Sequence, residues 1–235
     1  ADQIAVRPAA AGRTMKSLRG IFRREVDLLR MQVLDAVLPL AFYLLVVMLF
    51  AFGTRANDPA LAGLSVSILW VGAVLSALLP LPRLFASEFE DGTLEQWCLA
   101  STPLVVIVAI KLFAHWCLNG LALAVMAVPL AVMLGLEGAG LGYLALGLMM
   151  GTAILTLLGG MSACLLVGIH RAASVLPLLV LPLMAPVVIF GSGAVRAWQL
   201  GADPAAPLYF LGSLFALSAT ALPWACASAL RNAYD

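Results

Sequence analysis

The stretch that decides the fold is GAGLGYLALGLMMGTAILTLLGGMSACLLVGI, Gly138–Ile169, which carries no charged side chain. A helix needs about 20 apolar residues to cross a hydrocarbon layer, and this stretch exceeds that. It shows no period-2 alternation, so it does not read as a barrel strand. Lipid offers the backbone no hydrogen-bond partners, which leaves the α-helix as the spanning element. Five further uncharged runs repeat the pattern: Ala36–Thr54, Pro59–Pro82, Leu112–Leu136, Ala172–Val195 and Pro204–Leu230. The expected fold is an all-α integral membrane protein with six transmembrane helices, over approximately 36–54, 60–82, 104–134, 141–168, 173–190 and 208–230.

Composition agrees with this. The chain of 235 residues is 63% hydrophobic and 11% charged, against roughly a quarter charged in a soluble domain. A net charge of +1 gives no basic face for nucleic acid. Positive residues set the orientation. After Met15, Lys16, Arg19, Arg23, Arg24, Arg30, Arg83, Lys111, Arg171 and Arg231 fall on one side, nine in all, against Arg55 and Arg196 on the other. Both termini are therefore expected in the cytoplasm, with Lys111 snorkelling from the inner end of the third span.

Residues 1–14 are Ala-rich, carry no expected span and precede Met15-Lys16. They read as an upstream extension, natural or added, and no signal peptide is expected. Residues 15–35 read as an amphipathic helix in the membrane interface. Leu18, Ile21, Phe22, Val26 and Leu29 recur at helical spacing, and Arg23 falls on the polar face. The other reading of this segment is a cytoplasmic extension of the first span.

Pro177, Pro182 and Pro186 crowd the fifth span. Each removes a backbone donor, so a bent or discontinuous helix is expected. The following Val187–Pro207 is expected to form a re-entrant helical segment between spans five and six. Gly147 and Gly151 form a GxxxG pair, followed by Gly159-Gly160. Such residues permit close helix approach, either within the chain or at a dimer seam.

Few polar side chains remain for chemistry. His115 lies in the third span and His170 in a short loop. His115 reads as a hydrogen-bonded interior histidine in preference to a haem or metal ligand. Cys98, Cys117, Cys164 and Cys226 form no CxxC pair and read as small packing residues. No HExxH, GxSxG or phosphate-binding Gly-rich loop is present. No enzyme activity, catalytic residue, metal or directly bound cofactor is expected.

The loop after the second span is dense in charge: Arg83, then Glu88, Glu90, Asp91, Gly92, Thr93, Leu94, Glu95 and Gln96. Gly92 suits a tight turn, and Thr93 with Gln96 has the spacing of a capping box. Glu95 falls in the first turn, where the helix dipole favours an anion. The reading is a short amphipathic helix at the cytoplasmic face.

The pattern E…GTLEQ…P in this loop resembles the cytoplasmic loop of ABC-2-type export permeases. Together with LRGIFRREVDLLR, LFASEFEDGTLEQ and LPLLVLPLMAPVVIFG, it resembles the cytochrome c maturation permease family, haem exporter protein B (CcmB), over nearly all of Met15–Asp235. Trp97–Ser101 departs from the more aliphatic run of the family. The resemblance implies a multi-pass subunit of the bacterial inner membrane, present in two copies per complex. It implies a separate ABC ATPase subunit that binds ATP. It also implies a haem-handling membrane subunit, a small single-span subunit and a periplasmic haem chaperone as partners. Haem is then the substrate of the complex, and Glu88–Gln96 is the ATPase-coupling loop, with Leu94 as apolar anchor. The alternatives are a generic export permease for lipid, drug or polysaccharide, and a mechanical assembly subunit without a translocation path.

Overall fold

In the computed structural model, residues 37–53, 59–99, 103–168 and 172–232 are described. The interfacial helix 15–35 (Leu18, Ile21, Phe22, Arg23, Val26, Leu29), the extension 1–14 and His170 lie outside these residues. The described chain is helical throughout. It comprises α1 (Val37–Gly53), α2 (Pro59–Leu78), a 3-10 turn (Leu81–Arg83), α3 (Ala86–Glu90), α4 (Thr93–Leu99), α5 (Leu104–His115), a π-helical turn (Trp116–Gly120), α6 (Leu121–Met133), α7 (Ala139–Leu165), α8 (Ala172–Gln199) and α9 (Ala205–Asn232). Among the described residues, five helical stretches are long and apolar enough to cross a membrane: Leu64–Glu90, Leu104–Met133, Ala139–Leu165, Ser174–Gln199 and Ala205–Arg231. Val37–Gly53 is apolar but shorter.

α7 is the axis of the bundle, packing against α2, α5, α6, α8 and α9. Its composition explains this. The small residues of the GxxxG stretch let large neighbours close in, and the neighbour is Trp70 of α2, which is 1% exposed. A Cβ at Gly147 would stand 3.2 Å from the Trp70 ring, and one at Gly151 2.6 Å from it. Gly191 of α8 completes the slot, because a Cβ there would run into the same ring. The GxxxG pair is thus an internal seam joining α2, α7 and α8. Further along α7, Gly159 faces Leu81 and Gly160 faces Leu112 in the same manner.

The fifth span differs from expectation. α8 runs unbroken from Ala172 to Gln199 through Pro177, Pro182 and Pro186. The re-entrant segment expected after position 187 is instead the second half of this helix. Prolines are tolerated within spanning helices, and α8 packs against α7 and α9 along buried Val180, Met184 and Val187. The true stop lies later. Gly201 has φ 69°, its N–H donates to the Trp198 carbonyl at 3.0 Å, and the Ala202 N–H donates to the Ala197 carbonyl at 2.8 Å. That pair of bonds is a Schellman cap, which needs a left-handed residue. Arg196 therefore sits in the last turn of α8, where the dipole favours a cation, and donates to Ser67 Oγ at 2.6 Å. Asp203 Oδ1 accepts the Ala205 N–H at 2.9 Å and so starts α9.

Candidate functional site

Pro80 and Pro82 end α2, since neither has a backbone N–H to continue it. The chain then turns through Leu81–Arg83 into α3 and α4, two short helices packed on one another at one end of the bundle. Gly92 links them at φ 71°, as the turn expected there demands. Thr93 is the first residue of α4, with no side-chain cap bond among the described residues. The capping-box reading is therefore replaced by a glycine turn.

The acidic residues divide into two groups. Glu90, Asp91 and Glu95 are exposed together with Gln96. Glu88 turns inward and forms an ion pair with Lys111 of α5, with side-chain exposures of 22% and 21% respectively. Ser87 Oγ donates to the other Glu88 oxygen at 3.1 Å. The Lys111 ammonium also lies 5.2 Å from the centre of the Phe85 ring and 5.5 Å from that of Trp97, within cation–π range. One lysine thus ties together the turn before α3, α3 itself, α4 and α5. Its expected snorkelling ends on Glu88 rather than in open water. Leu94, expected to project toward a partner, is fully buried with Phe85 in the core; it holds α4 down. The exposed apolar residue of α4 is Leu99, at 88%.

Beside this junction lies a cavity of about 480 Å³. Leu38 of α1, Leu79 of α2 and Leu118 of the π turn give it an apolar wall, and its polar groups are Arg83, Ser87, Lys111, His115 and Asn119. Lys111, His115 and Asn119 follow one another at i, i+4, i+8, one helical stripe. The π turn lets the stripe change course. The Leu121 N–H donates to the Trp116 carbonyl, an i→i−5 bond, of the kind often found at functional sites. Trp116 Nε1 donates to Thr152 Oγ1 of α7 at 3.1 Å, which pins the turn to the central helix. Gly120 makes room for the indole, since a Cβ there would stand 2.5 Å from Trp116 Cδ1.

Asn119 is 7% exposed. Its Nδ2 donates to the His115 carbonyl at 3.4 Å and lies 3.5 Å from His115 Nδ1. Its Oδ1 is buried with no partner among the described residues. No group of three His, Cys, Asp or Glu is placed to hold a metal among the described residues. Cys117, Cys164 and Cys226 are free, and the last two are buried.

A sequence model of the CcmB protein family matches residues 16–233. The chain belongs to the CcmB family. Among its relatives, Heme exporter protein B of Pseudomonas aeruginosa is 42% identical over 211 residues, covering 90% of this chain and 95% of that protein. Heme exporter protein B of Paracoccus denitrificans is 44% identical over 194 residues, 83% of this chain and 89% of that protein. Heme exporter protein B of Haemophilus influenzae is 37% identical over 215 residues, 92% and 97% of the two chains. The family match thus takes in every described helix, the α3–α4 loop and the cavity beside it.

Proposed function

We propose that this CcmB-family chain is the transmembrane permease subunit of an ABC-type complex that delivers haem to the periplasm for cytochrome c maturation. The haem in this reading comes from the relatives' names. It spans the inner membrane six times with both termini cytoplasmic, as the positive residues argue. It is no enzyme itself. ATP is bound and hydrolysed by a separate ABC ATPase subunit. A haem-handling membrane subunit, a small single-span subunit and a periplasmic haem chaperone complete the assembly, with this chain in two copies.

The observation that supports coupling is the Lys111 junction. A partner's motion reaches a spanning helix only through an element that does not deform. α3 and α4 are short, seated by buried Phe85 and Leu94, and bound through Glu88 and two aromatic rings to Lys111 of α5. Their outward face carries Glu90, Asp91 and Glu95, which suits a cleft with basic residues on the ATPase. A push on α3–α4 then displaces α5, and with it the wall of the adjoining cavity, toward loading or releasing the haem chaperone.

The experiment is the double reversal Glu90→Lys with Asp91→Lys. Both sites are exposed, so the chain should still insert and fold. It should lose co-purification with the ATPase and lose mature c-type cytochromes. Normal co-purification with normal cytochrome levels would remove α3–α4 from the coupling role.

A further inference from the structure

Of the five long apolar stretches among the described residues, α9 is the one its own chain covers least, with 11% buried against 28–67% in the other four. It is also the least apolar of the five. A helix turned mainly to lipid should rank the other way, because polar groups set against hydrocarbon cost free energy. The inversion points to a protein neighbour on its open face.

That face has the spacing of a helix seam. Ala206, Ser213 and Thr220 recur every seven residues, and so do Phe210, Leu217 and Trp224. The two sets interleave in steps of four and three, the 3.5-residue period that keeps one stripe of a helix on another along a left-handed crossing. All six are exposed, Phe210 by 45%, Leu217 by 64% and Trp224 by 69%. The first set is small and the second large, so each hole lies beside a knob, and small residues let spanning helices approach closely. Contact with fluid lipid sets no such alternation of size. Ser213 Oγ donates to the Phe210 carbonyl at 2.7 Å and Thr220 Oγ1 to the Ala216 carbonyl at 2.9 Å. Both hydroxyls thus turn back on their own helix and leave the holes open.

Pro204–Leu230 carries no charge, so two such faces meet without repulsion. Two copies of one chain share a membrane orientation, so their α9 helices run parallel. Each residue then meets its counterpart at the same depth, as a two-fold interface requires. The Gly147–Gly151 pair of α7 is closed to this use, since Trp70 fills it.

We propose that the exposed face of α9 is the seam between two copies of this chain, with Ala206, Ser213 and Thr220 as holes and Phe210, Leu217 and Trp224 as knobs. This locates the contact of the two-copy assembly in the function proposed above, and it rests on that reading for the number of copies.

The test uses the full chain alone in nanodiscs assembled with lipid in large excess, its mass read by native mass spectrometry. The unmodified chain should be dimeric. Ser213→Leu with Thr220→Leu fills two holes and should weaken the dimer about tenfold, through overpacking. Against lipid the same change only adds apolar surface. Ala185→Leu, at an exposed site of α8, should leave the dimer unchanged. In cell membranes, Thr220→Cys under mild oxidation should give a band at twice the mass of the chain that the unmodified chain does not give. A monomeric unmodified chain, or a dimer indifferent to Ser213→Leu with Thr220→Leu, overturns the seam. A Thr220→Cys band at another mass gives the face to a different subunit and overturns it equally. Deletion of the gene separates the two claims. If mature c-type cytochromes are lost but the chain is monomeric, the seam fails and the haem-delivery reading stands. If cytochromes persist while the dimer behaves as stated, the seam stands and the haem-delivery reading fails.

Discussion

Lys111→Met is the most informative single change, because it cuts the tie between the α3–α4 loop and α5 while keeping an unbranched side chain of nearly the same length. The ion pair with Glu88 is about four-fifths buried on both sides, so its worth lies between two limits. Exposed pairs contribute about 0.2–1 kcal/mol, and breaking a buried pair costs about 3–5 kcal/mol. Lys111 also faces the Phe85 and Trp97 rings, each contact worth about 0.5–1 kcal/mol. Lys111→Met should therefore destabilise by about 2–3 kcal/mol, the pair and both ring contacts going together. Glu88→Gln leaves the ring contacts and should cost about 1 kcal/mol. The double variant should cost little more than Lys111→Met alone, so that the cycle gives a coupling of roughly 1 kcal/mol. The assay is reversible denaturation in mixed micelles followed by tryptophan fluorescence, since Trp97 reports on the junction directly. ATPase co-purification is measured on the same samples. Strictly additive single losses, or a Lys111→Met chain as stable as the unmodified one, would refute the junction as a mechanical link.

Other consequences are open to direct measurement. Gly191→Ala places a methyl group against the Trp70 ring, so stability should fall by about 1–3 kcal/mol through overpacking, and Trp70→Leu in the same chain should recover part of the loss. His115→Ala and His170→Ala should each keep more than half of normal cytochrome c maturation; complete loss in His115→Ala with the protein still in the membrane would make the imidazole a required ligand. Single cysteines at Asn57 and Ala202 should label from the periplasm and one at Ala233 should not, and periplasmic labelling at Ala233 would reverse the six-span topology.

The long apolar helices were legible because lipid permits so few backbone solutions, whereas Val37–Gly53, expected as the first of six spans, is a shorter helix than the other five. Uncharged stretches such as Gly138–Ile169 fix their own secondary structure once no water is at hand to satisfy a broken helix. The end of α8 was not legible from its prolines. Pro177, Pro182 and Pro186 speak to local hydrogen bonding, while α8 continues through them packed on α7 and α9 along Val180, Met184 and Val187, which is tertiary information. Gly201 was the better marker of the stop, as a glycine two residues past Gln199 and just before Asp203-Pro204. At the site, the acidic loop and its glycine turn could be read from residue type and spacing. The inward turn of Glu88 and the burial of Leu94 could not, because both depend on Lys111 and α5 being beside them. Lys111, His115 and Asn119 at i, i+4, i+8 in an otherwise apolar span were the available sign of a polar stripe. The π turn that redirects that stripe leaves no trace in periodicity.

Haem delivery for cytochrome c maturation, the role proposed for this chain, can be read directly in cells. The most direct measurement is the amount of covalently haem-stained periplasmic cytochrome c in a host lacking the gene for this chain, with and without a plasmid copy. The stained cytochromes should be lost on deletion, restored by the unmodified copy, and not restored by the copy carrying Glu90→Lys with Asp91→Lys. Stained cytochromes at normal levels in the deletion host would contradict the proposed role.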